Sequence, residues 1–212
     1  MASRAVPEDV PGKERTFRGD TTHTCGADAK GNMMAATCSG GWIPSSPVVP
    51  GVGFPMGTRG QMFFLDPHRP AVIAPRKRPR TTLTPSLVLK DGKPFMVFGT
   101  PGGDQQDQWT LQFFLNYVEF GMNLQEAIDA PSFHSNHFPS SFYPREAHAG
   151  GMVVESRIPE ATIKELEGRG HKVRTAGAWI NGKVMAVHTE KRTGVLSGAV
   201  SPRGQIGYVM GD

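Results

Sequence analysis

Residues 19–28 read Gly19-Asp20-Thr21-Thr22-His23-Thr24-Cys25-Gly26-Ala27-Asp28, and a turn signal, Lys30-Gly31-Asn32, separates them from Met33-Met34-Ala35-Ala36-Thr37-Cys38. Threonine is β-branched and favours extended backbone, and a Gly-Asn step between two such runs predicts a hairpin with strands at 21–28 and 33–38. A threonine heading a strand becomes a nucleophile if the bond before it is cut. Its new α-amino group then lies beside its own hydroxyl and serves as the base. Two adjacent threonines are also simply good strand formers, so the remaining segments must decide.

Outward from this hairpin, residues 1–18 read as linker and residues 40–60, rich in Gly and Pro, as a long irregular loop. Ser86 to Lys90 and Pro94 to Gly99 form a second hairpin across Asp91-Gly92. Pro101-Gly102-Gly103-Asp104 then opens a helix running toward Gly121. Within it Leu111, Phe114, Leu115 and Val118 give an apolar stripe, widened by Phe113, Tyr117 and Phe120, that predicts burial against a sheet. Short helices are expected at Leu124 to Ala130 and Pro159 to Glu167. Strands are expected at Met152 to Glu155, Lys172 to Arg174, Val184 to Thr189 and Val195 to Val200. Hairpin-paired strands with helices packed on them indicate an α+β fold.

With 212 residues, 38% of them hydrophobic, the chain can build a core, while 26 Gly and 18 Pro make it rich in loops. No apolar run is long enough for a membrane span. Met1 to Asp20 has no apolar segment of the kind a signal peptide carries. The net charge of +4 would admit an anionic partner, but only Arg76-Lys77-Arg78-Pro79-Arg80 is concentrated. Cys25 and Cys38 are the two cysteines. If 29–32 is the turn, Cys25 faces Ala36 with Cys38 diagonal to it on the same sheet face. That geometry is awkward for a disulfide, so both are expected as small buried thiols.

Thr21-Thr22-His23 and its hairpin, Lys77-Arg78-Pro79 with Thr81-Thr82-Leu83-Thr84-Pro85, and Pro101-Gly102-Gly103 resemble, in order and spacing, the small catalytic subunit of γ-glutamyltransferases. These enzymes, also called γ-glutamyl transpeptidases, are N-terminal nucleophile hydrolases. Further matches are Tyr117-Val118-Glu119-Phe120-Gly121-Met122-Asn123, Glu126-Ala127-Ile128-Asp129-Ala130-Pro131 and Gly168-Arg169-Gly170-His171-Lys172-Val173, so the resemblance spans residues 19 to 212. It implies an αββα sandwich of which this chain is about half, the rest coming from a large subunit of the same precursor. On this division residues 1–20 end the large-subunit side and residues 21–212 form the small-subunit catalytic domain.

The resemblance also implies roles. Cleavage falls between Asp20 and Thr21, and the freed Thr21 forms an acyl-enzyme passed to water or to an amine. Gly102 and Gly103, before a helix N-terminus, match the oxyanion-hole glycines. Ser39, eighteen residues after Thr21, stands where a second threonine hydrogen-bonds the nucleophile. Thr81 and Thr82 match a serine pair that contacts the donor carboxylate. Gly41 replaces an asparagine, and Gln61 and Met62 replace acids that hold the donor's α-ammonium, while Arg59 nearby suits a carboxylate. The departures favour an acid-bearing amide other than a γ-glutamyl compound such as glutathione.

Three readings follow: an autoprocessing threonine amidase or acyltransferase, an acylase or amidohydrolase on non-γ-glutamyl amides, and a non-catalytic fragment acting as an interaction module. None needs a cofactor. His134 and His137 space like a metal pair but overlap a structural family segment, so no metal is expected. The basic run overlaps a family motif, so nucleic acid is not expected either. The resemblance leaves periplasmic and cytoplasmic placement open.

Overall fold

The computed structural model describes residues 21–40, 46–190, 193–204 and 207–211. The first hairpin is β1 (Thr21–Ala27) and β2 (Met33–Ser39), antiparallel with Thr21 opposite Ser39. Asp28 builds its turn: the carboxylate accepts the backbone N–H of Lys30 and of Asn32, both at 2.9 Å. The loop therefore occupies 28–32, and Cys25 faces Ala35 rather than Ala36 while Cys38 faces Thr22. The single-residue change moves the cysteines to opposite faces of the hairpin. Both are free; Cys25 is half-buried and Cys38 exposed, which corrects the expectation of two buried thiols on one face. Burial pushes the Cys25 thiol up to about 11.

A four-stranded antiparallel sheet holds β3 (Ser86–Lys90), β4 (Lys93–Gly99), β8 (Met185–Thr189) and β9 (Leu196–Val200), in that spatial order. Strand alternation gives it two buried faces. Met96, Phe98, Ala186 and Ala199 pack with Phe113, Ala127 and Ile128 of two helices, α1 (Gln106–Val118) and α2 (Leu124–Asp129). The opposite face carries the β1–β2 hairpin, which packs on β4, with β1 also against β8. Helices, sheet and hairpin thus form three layers, a mixed α and β architecture.

The apolar stripe of α1 is only partly turned inward: Phe113, Phe114 and Tyr117 pack on the core, whereas Leu111, Leu115, Val118 and Phe120 are exposed. Leu111 is 56% exposed whereas Phe113 is 2% exposed, and the buried row is Gln106, Thr110 and Phe113. Aromatic packing sets this rotation: Phe98 meets Phe113 edge-on at 5.1 Å and Phe114 in a stack at 5.9 Å. α2 starts on a capping box, Asn123 with Glu126, and ends before Pro131 as the sequence predicts.

A third sheet joins β5 (Phe133–Ser135) antiparallel to β6 (Gly151–Glu155), and β6 parallel to β7 (Lys172–Ala176) across helix α3 (Glu160–Gly168). The three-residue β5 carries no periodic signal long enough to read from sequence. Among the described residues no helix is long and apolar enough to cross a membrane.

The sheets are tied together by a buried charge that composition does not reveal. Glu155 is fully buried. One carboxylate oxygen accepts from Arg203 Nε at 2.7 Å and from the backbone N–H of Ile180 at 3.0 Å and Asn181 at 3.1 Å. The other accepts from Arg157 at 2.6 Å and from Arg203 Nη2 at 3.1 Å. Arg203 also donates to the carbonyls closing α2, those of Ile128 and Ala130. Burial alone would raise the Glu155 pKa, but the Arg203 bond, the Asn181 N–H and Arg157 together hold it below the ordinary carboxylate value. Its contribution is present above that ordinary value and fades as pH falls below it. Removing one partner of such a pair leaves a buried charge unanswered, so Arg203→Met should cost about 3–5 kcal/mol in denaturant unfolding. Glu155→Gln should weaken the acid-induced loss of stability in the same assay.

Candidate active site

The head of β1 carries the residue expected to be the nucleophile. Thr21 Oγ1 lies 2.7 Å from Ser39 Oγ, across the last pair of the hairpin ladder. Cross-strand registry makes this contact, since directly opposed side chains share one face. Ser39 therefore stands in hydrogen-bond reach of the hydroxyl expected to act as nucleophile. By alternation Thr21, His23 and Cys25 share one face of β1, and His23 is buried, whereas Thr22 and Thr24 are exposed.

His23 bonds within its own sheet, Nδ1 to Thr37 Oγ1 at 2.8 Å. Its Nε2 is buried without a partner. The imidazole lies against Gly99, where any Cβ would come under 3.0 Å of three ring atoms. Burial draws its pKa down from 6.5 to about 4, so the ring is neutral at pH 7. The contact fixes β1 on the last residue of β4, three residues before Gly102.

The chain leaves β4 through Thr100, whose hydroxyl accepts the Lys183 N–H at 2.8 Å, and turns at Gly102 with φ 137° and Gly103 with φ 65°. Side chains rarely adopt either conformation, which explains two glycines in succession. Gly103 begins a short 3-10 turn that runs directly into α1. Among the described residues neither glycine N–H has a hydrogen-bond acceptor. The arrangement is that of a backbone anion cradle at a helix N-terminus.

Arg59 joins these two regions. It sits in a 3-10 turn, Thr58–Met62, and its guanidinium lies where a Cβ on Gly40 would touch it at 3.5 Å. The guanidinium carbon is 5.7 Å above the Phe142 ring, and that ring is what a Cβ on Gly103 would meet at 3.7 Å. Burial lowers the Arg59 pKa, while Asp104 next to Gly103 raises it. Asp104 is held in turn by Ser141 N–H at 2.8 Å and Ser140 Oγ at 3.0 Å. The Ser39–Gly40 and Gly102–Gly103 segments thus converge on one corner occupied by Arg59.

Thr81 and Thr82 differ in availability. The Thr81 side chain is committed locally, accepting the Leu83 N–H at 3.1 Å, whereas the Thr82 hydroxyl is buried with no partner. Met62 is fully buried, and Gln61 is exposed with its carbonyl accepting from Arg145 at 2.9 Å. Neither supplies an acid. Asp20 and Gly41 lie outside the described residues. His134 and His137 are used separately, His134 Nδ1 with Asn181 at 3.1 Å and His137 Nδ1 accepting the Gly150 N–H at 2.8 Å.

Sequence reasoning missed Phe142, Ser140 and Ser141, because loop residues brought in from about forty positions away leave no periodic trace.

Comparison with known proteins gives this corner a context. A family model described as Gamma-glutamyltranspeptidase matches residues 3–210. The Glutathione hydrolase-like YwrD proenzyme of Bacillus subtilis (strain 168) is 31% identical, over 92% of this chain and 36% of its own length. The Acylase ACY 1 proenzyme of Pseudomonas sp. (strain SE83) is 37% identical, over 73% of this chain and 26% of its own. A solved structure titled "Structure of LmbA2991T421A" is 52% identical with a TM-score of 0.85, covering 92% of this chain and 34% of that one. The chain spans roughly a third of the length of these proteins.

Two outcomes follow from the His23–Gly99 contact. Gly99→Ala forces a methyl into the imidazole and should cost about 1–3 kcal/mol in denaturant unfolding. The depressed His23 pKa means unfolding takes up a proton between about pH 4 and 6.5. Stability should therefore be full above 6.5 and fall as pH drops toward 4. His134 and His188 are shifted the same way, so His23→Phe should make this slope shallower without flattening it.

Proposed function

The chain belongs to the gamma-glutamyltranspeptidase family, and on that premise we propose that it is the catalytic part of a self-cleaving threonine amidase. The observation that carries the proposal is the 2.7 Å contact between Thr21 and Ser39 hydroxyls at the head of β1. Residues 1–20 are the end of the preceding segment and residues 21–212 the catalytic domain. Sequence upstream in the same precursor completes an αββα sandwich over the three layers seen here.

Self-cleavage begins with Thr21 Oγ1 attacking the Asp20 carbonyl carbon. The peptide C–N bond breaks, leaving an ester on Oγ1 and a free Thr21 amine. Water opens the ester to the Asp20 carboxylate and restores the hydroxyl. In turnover the α-amine takes the hydroxyl proton as Oγ1 attacks a substrate amide. Gly102 and Gly103 N–H groups hold the negative oxygen of the tetrahedral intermediate. Collapse expels the amine, which leaves with the proton, and the acyl group on Oγ1 passes to water or to a second amine. Ser39 donates to or accepts from Oγ1 and keeps it aimed.

The substrate is an amide bearing an acidic group, with Arg59 and the open Thr82 hydroxyl as its contacts. Two donor classes fit the relatives' names, γ-glutamyl compounds such as glutathione and non-γ-glutamyl amides of the acylase kind. Buried Met62 and backbone-held Gln61 favour the second, because neither answers an α-ammonium. An unanswered ammonium in a buried site costs about 1–3 kcal/mol or more. Arg59 already feels Asp104, so it reads a substrate anion against an internal one.

Thr21→Ala should abolish both self-cleavage, read as intact mass, and amide turnover; turnover surviving the change overturns the proposal. Ser39→Ala should lower kcat by about 10–100-fold. A panel of γ-glutamyl and non-γ-glutamyl amides should give the higher kcat/KM for the latter, and Arg59→Gln should narrow that gap by raising KM for acid-bearing donors.

A further inference from the structure

Trp109 lies in the first turn of α1, and its ring is wedged between three separate segments. Atoms of the benzo ring, Cζ3, Cε3 and Cη2, occupy the space a Cβ on Gly102 would need. The near end, Cβ, Cγ and Cδ2, lies against Gly182, where a Cβ would come within 3.0–3.2 Å. Its face meets His134 of β5 edge-on, with centroids 5.4 Å apart at 83°. His134 is bonded to Asn181, and Asn181 N–H is bonded to Glu155. A continuous path of packed groups therefore runs from Gly102 to the buried charge that ties the sheets together.

The indole N–H is buried with no acceptor among the described residues. Such a donor costs about 1–3 kcal/mol, which a purely space-filling phenylalanine would avoid. What the indole alone provides at this place is the benzo ring, and that ring touches Gly102. Gly102 adopts φ 137° and ψ 28°, a conformation with no side chain of its own to hold it.

We propose that Trp109 is a positioning residue for acyl transfer, its benzo ring setting the height and tilt of the Gly102–Gly103 turn. The inference rests on the assignment of that turn as the oxyanion cradle in the preceding subsection. A cradle works by aiming N–H groups at charge that develops only in the transition state. A ring pressed against the turn fixes that aim before substrate arrives. Loss of the ring lets the turn relax, which weakens transition-state stabilisation and leaves ground-state binding by Arg59 and Thr82 untouched.

The test is steady-state kinetics on the full-length self-cleaved protein, with Trp109→Phe and Trp109→Leu beside wild type. Phenylalanine keeps the contacts near Gly182 and removes those against Gly102. Its unfolding midpoint should stay close to that of wild type, with KM within about twofold and kcat lowered about tenfold or more. Trp109→Leu should show the same split between kcat and KM. A purely structural role predicts lowered stability with kcat per folded molecule unchanged, and a kcat within about twofold of wild type for either folded variant overturns the inference alone. Absence of Thr21-dependent turnover in wild type would instead overturn the acyl-transfer reading, and this inference with it.

Discussion

An imidazole resting on a glycine backbone sets the geometry of this molecule. The hairpin and the four-stranded sheet share no ladder hydrogen bonds, so their relative placement is decided by side chains in the gap between them. His23 is the largest polar group in that gap, and it lies where Gly99 leaves room for nothing but a hydrogen. Two residues before His23 is Thr21, and three residues after Gly99 is Gly102. The contact therefore ties the strand that begins at Thr21 to the strand that leads into Gly102. The ring is neutral at pH 7 because burial penalises its charged form.

Much of this was legible from the residues. The hairpins, the Pro-Gly-Gly entry into α1 and the α2 stop at Pro131 follow from local rules: strand alternation, turn chemistry and the conformational range of glycine, whereas the Thr21–Ser39 pairing was implied by the family resemblance alone. Local rules failed where two solutions had similar local merit. Residues 28–32 form a five-residue loop because the Asp28 side chain captures two N–H groups, and this decided the faces of the cysteines. In α1 the expected stripe split: Phe98 meets Phe113 edge-on and stacks on Phe114, which turned those rings inward and left Leu111, Leu115 and Val118 exposed.

The parts of the site that the sequence concealed are contributed by loops distant in the chain. Arg59 reaches Asp104 over about 45 residues of chain and Phe142 over about 80, and nothing periodic marks such encounters. The Glu155 hub is similar. Its partners are Arg157, Arg203 and the backbone N–H groups of residues 180 and 181, with Arg203 reaching on to the α2 carbonyls, and none is distinctive until folding collects them. Buried charge of this kind gives specificity of assembly, because any misplacement strands a carboxylate away from water.

The register of the first hairpin has a practical consequence. Cys38 is exposed beside Ser39 but on the side of the hairpin turned away from Thr21, and Cys25 is poorly ionised because it is half-buried. Alkylating reagents therefore distinguish the two native thiols. A fluorophore coupled to Cys38 would sit one residue from Ser39 on the face opposite Thr21, an endogenous attachment point for optical reporting of ligand occupancy.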